Sequence, residues 1–339
     1  MKVLRKLERG ILREFFSKNS NGTKLEKSMN LEDRIGVQTL LLGEKGGRTD
    51  AEAIASAVKQ IGDAGFKAIE IVPAQFTSVE GRVAAPFLER AFGVDERRNL
   101  RNLLKPFRAV TVHGSNIIVR VPPGRDEKRE DHWGPYLALM RFARDIGAGV
   151  VTFHSFQPAE GTSLKTGEMI ELYAEFGALA AKAAEEWGLL AGFELATNYD
   201  FFLENKIIEG IGSRKFGYLF DLGHVALHFA GSADITASVL QVVEECLDHI
   251  LEFHAGGVHL TSQGLREHRP LDRNNLMDHG KLMNLLERKN YRGSIIFEIF
   301  FQASKPEQSL ATFSENLEVC KEAKKQILGV SFPSPQGRK

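Results

Sequence analysis

Residues 215–229 read KFGYLFDLGHVALHF. From Phe216 to Phe220 the run is apolar and aromatic, and it stops on Asp221. Residues of that kind fit a strand buried on both faces. His224 stands one helical turn past the carboxylate, and His228 follows. An Asp-x-x-His pair at a strand's end can hold a metal ion, or it can be a helix N-cap with a surface histidine nearby. The stretch alone leaves both readings open.

Outward from it the same pattern recurs. Strand-like runs appear at IGVQTLLLG (35–43), FKAIEIV (66–72), AVTVHG (109–114), GVVTFHSF (149–156), LLAGFELA (189–196), FGYLFD (216–221), FHAGGVHLT (253–261) and GSIIFEIF (293–300). Helical patterns such as AEAIASAVKQIGDAG and MIELYAEFGALAAKAAEEWG separate them, several closed by a glycine. Strands that are mostly apolar and alternate with helices form a parallel sheet covered on both faces. Eight such units across about 300 residues predict an α/β fold, a (β/α)8 TIM barrel, with a helical extension at the N-terminus.

That extension is residues 1–29. Val3, Leu4, Leu7, Ile11, Leu12, Phe15 and Phe16 fall at helical spacing, among eight basic and three acidic residues. The segment carries +5 and leaves −5 for the rest of a chain whose 44 basic and 44 acidic residues cancel. A basic amphipathic helix of this kind packs across a barrel mouth or against a partner subunit, which makes a homo-oligomer one outcome; lying on a membrane surface is the alternative. The barrel is expected over 30–328, and the Pro/Gly/Ser-rich tail 329–339 is expected to be disordered.

The composition excludes several classes. With 43% hydrophobic and 26% charged residues the sequence is that of a soluble globular protein. Charge neutrality disfavours a general polynucleotide binder, duplex DNA included. Cys246 and Cys320, the only two cysteines, are too few for a disulfide framework or a thiolate zinc site. No apolar run approaches the roughly 20 residues of a membrane helix, and the N-terminus lacks an apolar signal core, so the cytoplasm is the expected compartment. There is no phosphate-binding loop, and GIGSRKFG lacks the context of a dinucleotide site. EKGGRTD (44–50) reads as a βα turn or an anion site at Gly46, Gly47 and Arg48, while His132, Trp133 and Tyr136 in REDHWGPY serve a pocket wall or the packing.

Chemistry in such a barrel sits at the C-terminal ends of the strands. Those ends carry His113, His154, Glu194, Asp221 with His224, His259 and Glu298, spaced by 41, 40, 27, 38 and 39 residues. His268 lies in the loop after the seventh strand. Any one of them could be a satisfied core residue. Carboxylates converging in one barrel mouth repel, however, and with no Lys or Arg at these strand ends a divalent cation is the economical relief.

These residues, with the segments GFKAIEI, TVHG, TFHSF, GFELA, FDLGH, GVHLTS, EHRPL and YRGSIIFEI, make residues 35–325 resemble the xylose-isomerase-like barrels. That superfamily includes sugar isomerases, epimerases and the endonuclease IV group of abasic-site nucleases. The isomerase branch implies that Glu194, Asp221, His259 and Glu298 hold one Mn²⁺, Mg²⁺ or Co²⁺ while the two glutamates shuttle a proton through an enediolate. His224 and Arg266 would then orient substrate oxygens. The nuclease branch implies that His113, His154, His224 and His268 join in holding zinc ions for phosphodiester hydrolysis. That branch has an aspartate two residues before the last histidine, where this chain has Arg266. A guanidinium cannot ligate a metal, which places a metal-dependent sugar or sugar-phosphate isomerase or epimerase ahead of the nuclease.

Overall fold

The computed structural model describes residues 30–40, 50–73, 92–114, 119–121, 132–159, 161–163, 165–194, 201–299 and 313–329. The N-terminal helix expected over 1–29, the turn at 44–49 and the tail beyond Gly329 lie outside those residues.

In chain order the strands are β1 (Ile35–Gln38), β2 (Ala68–Ile71), β3 (Ala109–Gly114), β4 (Arg120–Val121), β5 (Val150–Phe153), β6 (Gln157–Pro158), β7 (Leu190–Glu194), β8 (Phe216–Asp221), β9 (Ile250–Ala255), β10 (Gly257–Thr261), β11 (Gly264–Arg269) and β12 (Ser294–Phe297). Eight of them close a parallel barrel in the order β1-β12-β9-β8-β7-β5-β3-β2. Two short pairs stand apart from it, β4 with β6 and β10 with β11. Between and after the strands run helices α1 (Asp50–Asp63), α2 (Val94–Leu104), α3 (Gly134–Ile146), α4 (Thr166–Trp187), α5 (Phe201–Ile211), α6 (Leu222–His228), α7 (Ile235–Cys246), α8 (His279–Arg288) and α9 (Phe313–Ile327).

The strands are buried on both faces, as parallel sheets must be. Their period-2 alternation sorts side chains into two layers. On β7, Phe193 turns outward into an aromatic layer with Tyr136, Phe153 and Phe176, where ring centroids lie 4.8 to 6.3 Å apart. Its neighbour Glu194 therefore turns inward. Trp133 and Tyr136, expected in a pocket wall or in packing, belong to this layer and are fully buried. Tyr136 also donates its hydroxyl hydrogen to the carbonyl of His154 at 2.9 Å, which fixes the backbone where β5 leaves the barrel.

Helix ends follow local chemistry. Gly147 and Gly188 adopt positive φ at the C-termini of α3 and α4, where a side chain would be strained. Asp221, Asp234 and Asp278 each accept a backbone N–H as N-caps. No helix among the described residues is long and apolar enough to cross a membrane.

Candidate active site

Four side chains converge at the C-terminal mouth of the barrel from four adjacent strands: Glu194 from β7, Asp221 from β8, His254 from β9 and Glu298 just past β12. One ligand atom of each lies within 4.8 Å of the others, and all four residues are buried. His254 Nδ1 stands 2.6 Å from Glu298 Oε2 and 3.8 Å from Asp221 Oδ2. Asp221 answers the question its sequence raised by doing both jobs. Its Oδ1 caps α6 by accepting the His224 N–H at 2.7 Å, while Oδ2 faces His254 at 3.8 Å and His268 at 4.0 Å.

His259 is not the fourth member. It lies on β10, outside the barrel, where Nε2 meets the Pro270 carbonyl at 2.9 Å and Asp272 at 3.3 Å. The seventh barrel strand starts at Ile250, three residues before the run read from the sequence, and it ends before Gly256. Gly256 and Gly257 let the chain turn out into the β10–β11 hairpin. A Cβ on Gly256 would come within 2.8 Å of the Glu298 carbonyl and 3.0 Å of His268 Cα. VHLT thus belongs to a second strand, and His254 holds the inward position.

Four further histidines form two flanks. His113 and His154 group with Glu194, and His224 and His268 with Asp221. His154 Nε2 lies 2.7 Å from Glu194 Oε2, His224 Nε2 3.4 Å from Oε1, and His268 Nδ1 3.8 Å from Glu298 Oε2. His268 reaches the mouth from β11 with a positive φ of 57°, a conformation that costs a non-glycine residue about 1–3 kcal/mol. Arg266, read from the sequence as an orienting residue, is exposed and donates to Gln263 at 2.7 Å.

Burial raises the Glu194 carboxyl, but His154, His224 and His113 outweigh it and hold the group well below the usual range. The Asp221 carboxylate pushes His224 up to about 10. Burial lowers His113, which keeps that imidazole neutral. On His254, burial is overcome by Glu70 and Glu298, and the group is raised well above its ordinary value.

Two atoms show what the cluster fits. Glu194 Oε2 and His254 Nδ1 are buried and have no well-directed hydrogen-bond partner, despite the 2.7 and 2.6 Å approaches. A cation bound between them would take both atoms as ligands. Three carboxylates and one imidazole are the hard donor set that suits Mg²⁺, Mn²⁺ or Co²⁺.

Glu70, Glu252 and His254 escaped the sequence reading, and all three are fully buried. The signal was available. Glu70 in AIEI and Glu252 in ILEFH are charges at inward positions of otherwise apolar strands.

Residues 58–323 match the family described as xylose isomerase-like TIM barrel. The chain belongs to this family. No curated protein matches by sequence. Among solved structures, a D-tagatose 3-epimerase-like protein is similar with a TM-score of 0.59 and 17% identity over 88% of this chain and 97% of its own. The 3-keto-D-glucoside 4-epimerase of E. coli gives 0.57 and 13% over 86% and 99%. A xylose isomerase-like protein from Mycobacterium smegmatis, solved in complex with magnesium, gives 0.57 and 16% over 88% and 96%. At these identities the likeness is one of fold.

Proposed function

We propose that this protein is a divalent-metal-dependent isomerase or epimerase of a sugar or sugar phosphate. The observation that carries the reading is the four-residue set Glu194, Asp221, His254 and Glu298, with its two glutamates three strands apart around one mouth. The sugar epimerases among the similar structures support the same class, and the magnesium complex supports a divalent ion.

These four residues would hold the ion, which supplies Lewis acidity toward a carbonyl and its neighbouring hydroxyl. Everything else falls to the chain. Glu194 and Glu298, both kept ionised, are the candidate bases. One removes the proton beside the carbonyl to give an enediolate. Its return to the adjacent carbon isomerises; epimerisation instead requires the other glutamate to take up a proton before turnover and deliver it to the same carbon from the opposite face, while the first keeps the proton it removed. His224, charged, lies in the mouth to stabilise the oxygen on which negative charge develops. Neutral His113 donates Nδ1–H to Thr152 Oγ1 at 3.0 Å or accepts from it, so Nε2 addresses the site. The aromatic layer behind β5 and β7 holds Glu194 rigidly.

The His113–His154–Glu194 group supports a second reading, a zinc-dependent phosphodiesterase of the endonuclease IV type, because hydrolysis of a phosphodiester uses two or more ions about 4 Å apart. Elemental analysis of chain purified without chelator, paired with a ketose panel in D2O, separates the two. The isomerase reading expects close to one Mn²⁺, Mg²⁺ or Co²⁺ per chain and solvent deuterium entering a substrate C–H. Two tightly held zinc ions with incision of abasic duplex DNA would overturn it.

A further inference from the structure

Beneath the mouth lies a second group, Glu70 on β2, Glu252 on β9 and His254 between them and the site, with ligand atoms within 4.8 Å of one another. Each of the three is 0% exposed. A carboxylate in such a place is expensive unless something requires it. Glu70 offers both oxygens to one atom, His254 Nε2, at 3.1 Å each. A carboxylate can only accept, so the proton of that contact sits on Nε2. Nδ1 faces Glu298 Oε2 at 2.6 Å and Asp221 Oδ2 at 3.8 Å, and a proton held there is the one a bound ion would displace.

We propose that Glu70 is the positioning residue for His254, fixing its ring and its Nε2–H tautomer so that Nδ1 is presented to the divalent ion. The inference rests on the metal-site reading above and adds to it the residue that makes His254 a ligand. The register explains why the contact is available. β9 puts Glu252 and His254 on its inward face, and β2 puts Glu70 on its own, across the barrel interior. Glu252 lies beside Glu70 and Thr111 with no well-directed hydrogen-bond partner for either oxygen. Outer partners of this kind raise ligand basicity and lock ring orientation, and their loss typically weakens metal binding by about 10- to 100-fold.

The test uses the full chain with Mn²⁺ and Co²⁺ as probes, comparing the parent with Glu70→Gln, Glu298→Gln and His254→Gln. Affinity is read by calorimetry and ligand geometry by the Co²⁺ absorption spectrum, with no substrate present. Glu70→Gln should weaken Mn²⁺ binding by ~10- to 100-fold and shift the Co²⁺ bands, while Glu298→Gln and His254→Gln lose more. Affinity and spectrum unchanged in Glu70→Gln, with both ligand variants impaired, would overturn the positioning role alone. Parental affinity in His254→Gln and Glu298→Gln would overturn the site reading and this inference with it. A second measurement needs no variant. Long-range ¹H–¹⁵N spectra of the Mg²⁺-loaded parent should show His254 protonated on Nε2, and an Nδ1–H tautomer would refute the proposal.

Discussion

His254 and His259 stand five residues apart, and only one of them faces the ligand cluster, so exchanging each in turn tests the site directly. His254→Gln removes one of the four proposed ligands. Protein sites of four ligands bind a divalent ion with roughly 10–16 kcal/mol in the well-studied zinc cases, or about 3 kcal/mol per ligand. At about 1.4 kcal/mol per factor of ten, the loss is ~100-fold in Mn²⁺ affinity. The metal-free chain also suffers, because the imidazole lies between Glu70 and Glu298 with 0% exposure. Stripping a buried charged network of one partner costs about 3–5 kcal/mol. His259→Gln should do neither. Its ring holds one hydrogen bond, to the Pro270 carbonyl, and a 3.3 Å contact to an Asp272 side chain that is 46% exposed. Losing these costs about 0.5–1.5 kcal/mol and leaves affinity within twofold. Calorimetric Mn²⁺ titration and urea denaturation measure both quantities. If His259→Gln loses the ion as fully as His254→Gln, the assignment of His254 fails.

Gly256→Ala should cost about 1–3 kcal/mol and weaken the ion, since its Cβ would meet the Glu298 carbonyl at 2.8 Å and His268 Cα at 3.0 Å; a denaturation midpoint and Mn²⁺ affinity both equal to the parent's would contradict this. Arg266→Gln should leave metal affinity unchanged, because the guanidinium bonds Gln263 at the surface, and any loss above threefold by titration would count against that placement. Asp145 accepts from Arg97 at 2.8 Å and from Arg144 at 2.7 and 2.9 Å; burial raises its carboxyl, but the two guanidinium groups outweigh that and lower it. A lowered folded value stabilises only above the unfolded pKa of about 3.9 and is lost as pH falls through the folded value. Asp145→Asn should therefore cost about 0.5–1 kcal/mol at pH 7 and converge on the parent in acid, and a gap that stays constant from pH 7 to pH 2.5 would refute the linkage.

The barrel was legible because strand–helix alternation is a local property. Seven of the eight barrel strands fall within the runs read from the sequence, and the polar residue closing FGYLFD or LLAGFE marks where each strand opens to the mouth. Glu194, Asp221 and Glu298 were read as strand-end residues, and β7, β8 and β12 bring them to the mouth. The seventh strand was not legible in this way. In ILEFHAGGVHLT two strand-like pieces adjoin, and VHLT is the more β-like of them. Which piece enters the barrel depends on pairing with β8 and β12, and that pairing is set by residues 30 or more positions away. The same holds for Glu70 and His254, 184 residues apart in the chain yet 3.1 Å apart in space. A lone glutamate in an apolar strand announces that something must satisfy it. Only closure of the sheet, which brings β2 and β9 across one interior, decides that its partner is the ring beneath the ion.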